Sequence, residues 1–431
     1  MRIVLISPYS QIEATGLRIL SACLKRAGFE TRMIFLPDIE EVVVATDYST
    51  RRVCETALSE IVALSEGSGL IGISVMTASF HVARQLSQAL RRASNVPIIW
   101  GGAHPTVRPE ECLRYADLVC IGEGEHAIVE LACRISTGRD YRDVHNLAYL
   151  DSRGQLVANP TCPPQSDLDA LPFADYEFEQ HYVLHEGHIV PFSQDLMYYY
   201  LSDIGSWSRD PIYGVLTTRG CPYRCSYCIN NALANIYPNW GTLRRRSAEN
   251  VIAEIQDVRR RLPAIGAIAI RDDTFLANPE QYIAHFSQFY RDQVSLPFRV
   301  YTSAQTTDRA KLQHLVDAGL CVRCGDCVAA CPFGAIRLHP YTALPLICDL
   351  CEGDPACVAR CVTGALRFGR AADASRPAGR PEAPRAVTGS GEQQAGATGG
   401  AGEVATRSDD QTGAAEGEGE GEGGARRNVR G

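Results

Sequence analysis

Eleven of the 17 cysteines in this 431-residue chain fall in three tight groups, and their spacing constrains the fold more than any other feature. A secreted disulfide scaffold spreads its cysteines along a short chain, whereas groups of this kind point to metal sites in a reducing cytoplasm. The first group, Cys221-Pro-Tyr-Arg-Cys225-Ser-Tyr-Cys228, follows the strand-like run Tyr213–Thr218. Three thiolates fill three iron corners of a 4Fe–4S cube and leave the fourth iron open to a reactant, which makes a catalytic cluster more than an electron store. The alternative is a zinc knuckle or a chance group of buried cysteines. Zinc would want a fourth ligand nearby, and no Cys or His follows until His285.

The other two groups have four members each. Cys321, Cys324, Cys327 and Cys331, followed by Pro332, make C-x2-C-x2-C-x3-C-P, and Cys348, Cys351, Cys357 and Cys361 make C-x2-C-x5-C-x3-C. The halves repeat, since Cys327, Cys331, Gly334 and Ala335 answer Cys357, Cys361, Gly364 and Ala365. The first run is the bacterial ferredoxin pattern, in which the fourth cysteine of each run ligates the other cluster. One cube is therefore expected on Cys321, Cys324, Cys327 and Cys361, the other on Cys348, Cys351, Cys357 and Cys331. Fully ligated cubes have no open iron and carry electrons; zinc ribbons are the competing reading. The six scattered cysteines (Cys23, Cys54, Cys112, Cys120, Cys133, Cys162) read as small buried residues.

The fold class expected is α/β. In residues 1–150, short apolar strands at Ile3–Ile6, Thr31–Leu36, Leu70–Val75, Val96–Trp100 and Leu118–Ile121 alternate with helices such as Gly16–Ala27, with Gly28 as its C-cap, and Phe80–Arg92. This pattern predicts a doubly wound parallel sheet with ligands beyond the carboxyl ends of its strands. Two glycine turns stand there, Gly101-Gly102-Ala103-His104 and Gly122-Glu123-Gly124-Glu125. Residues 151–212 are proline-rich and acidic in part and read as a connector. Its His181, His185 and His188 read as a solvent-facing or substrate-lining cluster. Residues 213–320 predict three βα units of a barrel, with helices at Ser247–Leu262, Pro279–Tyr290 and Asp308–Ala318. Residues 321–369 form the two-cluster module. Residues 370–431, rich in Ala, Gly, Arg, Pro and Glu, read as a disordered tail.

A net charge of −8 argues against nucleic acid as the main partner, and no apolar run reaches the roughly 18 residues that span a bilayer. Met1–Pro8 reads as a strand, not a signal peptide, so the expected location is cytoplasmic. The partners left open are a small-molecule substrate and a redox protein.

With Tyr227 before its last cysteine, the Cys221–Cys228 motif resembles that of the radical S-adenosylmethionine (SAM) enzymes. There the open iron chelates SAM, and the reduced cluster cleaves it to a 5′-deoxyadenosyl radical. The first 140 residues or so resemble the cobalamin-binding domain found ahead of one class of those enzymes. That resemblance rests on the run from Trp100 through Pro109-Glu110-Glu111 to Gly122-Glu123-Gly124-Glu125. The Asp-x-His-x-x-Gly motif that ligates cobalt in better-known cobalamin domains is missing. The resemblance implies cofactor contacts at Gly101, Gly102, His104, Gly122, Glu123 and Gly124. It implies SAM or substrate contacts at Tyr227, Asp272 and Asp273, with Arg299 and Ser303 as weaker candidates. His104 reads equally as a polar loop residue beside Pro105, and Asp273 with Thr274 as a helix N-cap. The cofactors implied are cobalamin, SAM and three 4Fe–4S clusters, and the activity is methyl transfer to, or a related modification of, an unreactive carbon. Such barrels usually have about six βα units, and this chain runs into Cys321 after three. The rival reading is an electron-transfer protein in which only the ferredoxin module works, its inactive barrel truncated by a gene fusion near residue 320.

Overall fold

The alternation of the first strand sets the architecture. β1 (Arg2–Ser7) sends Ile3 and Leu5 to one face and Val4 and Ile6 to the other, and all four are buried. A strand buried on both faces needs helices on both sides. The structure, a computed structural model, describes residues 1–37, 51–202, 208, 210–237, 240–303 and 305–318, with short strands at 336–338 and 345–347. All of these belong to one unit, Met1–Arg360.

After β1 come α1 (Thr15–Arg26), β2 (Glu30–Phe35), α2 (Glu55–Ser65), β3 (Ser68–Ser74), α3 (Phe80–Ala93) and β4 (Ile98–Gly101). The short α4 (Ala103–Val107) and α5 (Pro109–Cys112), β5 (Leu118–Cys120) and α6 (Glu125–Ser136) follow. These five strands pair in parallel in the order β5-β4-β3-β1-β2. Strand order reverses between β1 and β3, and a crevice opens at such a point. α1 stops where Gly28 takes φ +87° and its N–H bonds the Lys25 carbonyl at 2.9 Å.

Much of the stretch expected as a connector finishes this sheet. β6 (Leu147–Leu150) and β7 (Leu156–Ala158) extend one edge as an antiparallel hairpin. β8 (Tyr182–His185) joins β2 in parallel at the other edge, and β9 (His188–Pro191) closes it, giving nine strands. The histidines do not act together. His188 is exposed beside Glu60, while His181 is buried, its Nδ1 accepting the Met33 N–H at 3.1 Å and its Nε2 3.2 Å from Asp175. Asp175 lies in a strap that also covers Arg18, whose guanidinium sits 4.3 Å from the Phe35 ring and 4.0 Å from the Tyr176 ring.

α7 (Gln194–Leu201) leads to a second sheet. Its elements are β10 (Ile212–Val215), β11 (Thr218–Arg219), α8 (Ile229–Ile236), β12 (Arg244–Arg245), α9 (Ala248–Arg261), β13 (Ala267–Ile270), α10 (Glu280–Gln293), β14 (Phe298–Val300) and α11 (Arg309–Asp317). β10, β13 and β14 pair in parallel, the three βα units expected, and β11 pairs antiparallel with β12. Ser247 caps α9 by accepting the Asn250 N–H at 3.1 Å. Val251, Ile252, Ile255, Val258 and Leu262 are all buried, each contributing about 1.5–3 kcal/mol. This core is continuous with that under α1 and α6, through Tyr176, Phe192, Met197 and Tyr213. Farther on, β15 (Ile336–Leu338) pairs antiparallel with β16 (Pro345–Ile347). The eight ferredoxin-type cysteines and the 370–431 tail lie outside the described residues.

Candidate functional site

The carboxyl ends of both sheets face one cleft of about 380 Å³. From the larger sheet, Gly72 and Ser74 of β3, Gly101 and Gly102 after β4, and Cys120 to Glu125 after β5 line it. From the smaller, Thr218 to Gly220, Ile229, Asn230, Leu233, Trp240, Arg271 and Asp273 do. Part of the cleft is an apolar slot lined by Leu5 and Ile99 of the sheet and by Leu17, Leu20 and Ile128 of α1 and α6. Glycines keep the slot open. A Cβ on Gly72 would come within 2.9 Å of the Leu5 side chain, whereas one on Gly124 would make only ordinary contact, 3.5 Å from the Cys120 sulfur.

The motif cysteines lie between Gly220 and Ile229, both of which line the smaller-sheet wall of this cleft. Cys221 is buried, Cys228 half-buried and Cys225 exposed. Burial pushes the Cys221 thiol up. Among the described residues no three His, Cys, Asp or Glu side chains are close enough to share a metal ion. The three thiols must therefore turn toward one another to hold a cluster, which the loop between β11 and α8 permits. The flanks of that loop are well fixed. Asp272 accepts the Thr217 N–H at 2.7 Å, the Thr218 N–H at 3.0 Å and the Thr217 hydroxyl. Asn230, buried, donates to Asp273 at 2.8 Å, accepts from the Trp240 indole at 2.8 Å and lies 3.6 Å from the Cys228 sulfur. Ser303 donates to the Tyr223 hydroxyl at 3.1 Å.

This geometry separates residues that the sequence groups together. Of the two aspartates, Asp273 lines the cleft, while Asp272 is buried and committed to the backbone before the motif; burial raises its carboxyl despite those hydrogen bonds. Thr274, and not Asp273, stands at the N-cap of a short 3-10 helix, Phe275–Ala277, without a side-chain capping bond, and Pro279 precedes α10. Tyr227 is 91% exposed and is not among the lining residues. His104 is buried against Phe80, with Nδ1 3.2 Å from Thr77 and Nε2 3.7 Å from Glu111, and is not among the lining residues. Gly101 does face the cleft. Gly102, at φ +103°, lets the chain pass the Val75 backbone, which a Cβ would approach to 3.0 Å.

The second glycine turn serves the domain contact as well as the cleft. A Cβ on Gly122 would stand 2.0 Å from the Tyr237 hydroxyl, which accepts the Glu123 N–H at 2.9 Å and an Asn146 amide hydrogen at 3.1 Å. Arg219, Asn230, Trp240, Tyr237 and Arg271 are site residues that the sequence does not mark. Arg219 and Asn230 stand two residues outside the motif on either side, and that proximity is the only signal they carry.

Matches to known proteins follow the same division. Residues 1–132 match the B12 binding domain, 215–324 the radical SAM superfamily, and 314–337 the 4Fe–4S binding domain, which takes in the first ferredoxin-type run. The chain is 27% identical over 218 residues to an uncharacterized methyltransferase of Pyrococcus horikoshii, covering 50% of this chain and 41% of that one. Over 62 residues it is 44% identical to the thiosulfate reductase electron transfer subunit of Salmonella typhi, covering 13% of this chain and 32% of that one. Among solved structures, the radical S-adenosylmethionine methyltransferase TsrM from Kitasatospora setae superposes with a TM-score of 0.54 at 20% identity, over 74% of this chain and 57% of TsrM. The chain thus spans less than two thirds of the length of each. It carries a B12-binding domain, a radical SAM domain and a 4Fe–4S binding domain, in that order, in the fold of a cobalamin-dependent radical SAM protein.

Proposed function

We propose that the chain is a cobalamin-dependent radical SAM enzyme that transfers a methyl group to, or otherwise modifies, an unreactive carbon of a small molecule. The observation that carries this reading is the single cleft lined by the glycine turns of the B12-binding domain and by the residues flanking Cys221–Cys228. The donor sets fit the groups they would hold. The apolar slot floored by Gly72 and Gly101 accepts a large flat ligand without a protein imidazole below it, since His104 is turned to Thr77 and Glu111. Cys221, Cys225 and Cys228 would supply three thiolates to one cube, and Asp273, beside Asn230 in the cleft, would hold an ammonium group.

When bound, the cluster supplies the electron that cleaves SAM, and cobalamin supplies the methyl group. The protein's own part is positional. Asp272 fixes the backbone entering the motif, and the Asn230 side chain ties the start of α8, just after the motif, to Asp273 and Trp240. The ferredoxin-type cysteines would carry electrons toward the motif, a role supported by similarity to an electron transfer subunit.

The test is anaerobic reconstitution with iron, sulfide and hydroxocobalamin, followed by SAM and a strong reductant. The enzyme reading expects 5′-deoxyadenosine from the wild type and none from Cys225→Ala. If the wild type holds its motif cluster by spectroscopy and forms none, the rival reading, an electron carrier, stands instead.

A further inference from the structure

We propose that Arg219 is a positioning residue for the cluster loop, and that Glu123 and Glu125 act through it and not on a cofactor. This rests on the reading that Cys221–Cys228 holds a SAM-binding cluster beside cobalamin. By its place in a glycine turn, Glu123 looks like a cofactor contact. Its carboxylate is instead committed to the other domain. It accepts from Arg244 at 2.8 and 3.1 Å, lies 3.4 Å from Arg219, and accepts the Gln165 N–H at 2.8 Å. Glu125 accepts from Arg219 at 2.6 Å. None of these four charged side chains is more than 16% exposed.

Arg219 is well placed to pass this restraint on. It pairs with Arg244 across β11 and β12, and only Gly220 separates it from Cys221. Gly220 itself is held at φ +92°, where a Cβ would meet the Trp240 carbonyl at 2.8 Å. A guanidinium forked between two carboxylates fixes direction as well as distance. The loop after β5 therefore sets the point from which the first cluster thiolate hangs. Arg219 carries the link between the two walls of the cleft.

The test uses the full chain, reconstituted anaerobically, with three readouts. These are iron content, SAM affinity from the SAM-dependent change in the EPR signal of the reduced motif cluster, and hydroxocobalamin affinity from absorbance. Arg219→Gln and the double variant Glu123→Gln/Glu125→Gln should each weaken SAM binding about tenfold at unchanged iron content. The triple variant should be no worse than the glutamate double variant, which has already lost every carboxylate contact of Arg219. Arg219→Lys, which keeps the charge but not the fork, should fall between. Additive effects would overturn the proposal. So would a glutamate variant that loses hydroxocobalamin affinity tenfold while its SAM-dependent signal stays normal, because the glutamates would then be cofactor contacts. Should Arg219→Gln fail to fold, Arg219→Lys decides, and an unchanged SAM affinity in it sinks the proposal. A wild type with no SAM-dependent signal overturns the cluster reading itself, and the role of Arg219 with it.

Discussion

The two sheets meet at one cleft, but they are built on different terms. The nine-stranded sheet is packed on both faces, with α2 and α3 over one and α1 and α6 over the other, and hairpins close its edges. Among the described residues, α9 and α10 pack on one face of the three-stranded sheet. Its other face carries Ile212, Gly214, Ala267 and Ala269, a small-residue surface with little apolar area to bury. Glu13 of the larger domain reaches over Gly214, where a Cβ would lie 2.5 Å from its carboxylate, and pairs with Arg271 at 2.8 Å. The smaller sheet thus shares its core with the larger one, and Glu13 of the larger domain covers part of its second face.

The largest effect separates the chemistry of the two regions. Cys225→Ala removes a thiolate of the smaller region only. It should lower 5′-deoxyadenosine formation at least about 100-fold, since the three thiolates act as a unit. Hydroxocobalamin affinity, a property of the larger sheet, should stay within about twofold by absorbance titration. A parallel loss of both would mean that the B12-binding domain cannot form its site alone.

Next in size is a test of the shared core. Ile255→Ala opens a cavity under α9 and should cost about 2–5 kcal/mol. Because that core continues beneath α1, hydrogen exchange should rise in β1 and α1 as well as in β10 and β13. Ile71→Ala, in the far-face core of the larger sheet, serves as the control and should leave β13 protected. Faster exchange confined to the smaller sheet in Ile255→Ala would break the comparison, because the two cores would then be separate.

The same contrast governs what sequence could reveal. Local chemistry was legible: Gly28 ends α1, Ser247 caps α9, and the continuous apolar run Ile3 to Ile6 marks a strand, which the structure buries on both faces. α6 is less visible, because its first residue, Glu125, belongs to a turn that reads as a ligand loop, although Ala127, Ile128, Leu131 and Ala132 carry helical spacing. β8 and β9, four residues each with polar histidines, are too short to announce themselves. The site was legible only where its residues are adjacent in sequence. That Asp272 holds Thr217, or that Tyr237 fills the space beside Gly122, depends on contacts 55 and more than a hundred residues apart, which no local pattern records.

Gly122→Ala tests one such contact. A Cβ there meets the Tyr237 hydroxyl and forces alanine into φ +80°. The combined strain should cost about 2–4 kcal/mol. It should also loosen the domain contact, seen as faster proteolysis between α8 and β12. Tyr237→Phe in the same background should not rescue it, since the ring carbons lie within 2.8 Å of the added methyl, whereas Tyr237→Ala should relieve the clash.

The smallest effect concerns the strap that joins the sheets. Asp175 accepts from Ser21 at 2.6 Å, from the Glu177 N–H at 3.1 Å and from Lys25 at 2.8 Å, with His181 at 3.2 Å. The Met33 N–H donates to Nδ1 of His181, so the ring proton sits on Nε2 and points at Asp175. Burial alone would raise this carboxyl, but His181, Lys25 and Ser21 outweigh it and hold it well below the usual carboxylate range. A depressed folded value contributes stability that is whole above the unfolded value of about 3.9 and drains away as pH falls through the folded one. Asp175→Asn keeps an acceptor but not the charge, and should lower stability by about 1–2 kcal/mol at pH 7. The thermal midpoints of wild type and variant should then draw together as pH falls below about 4, where the unfolded chain's carboxylate takes up a proton that the folded one still resists. Curves that stay parallel from pH 7 to pH 3 would show that Asp175 is not the acid-sensitive link between the sheets.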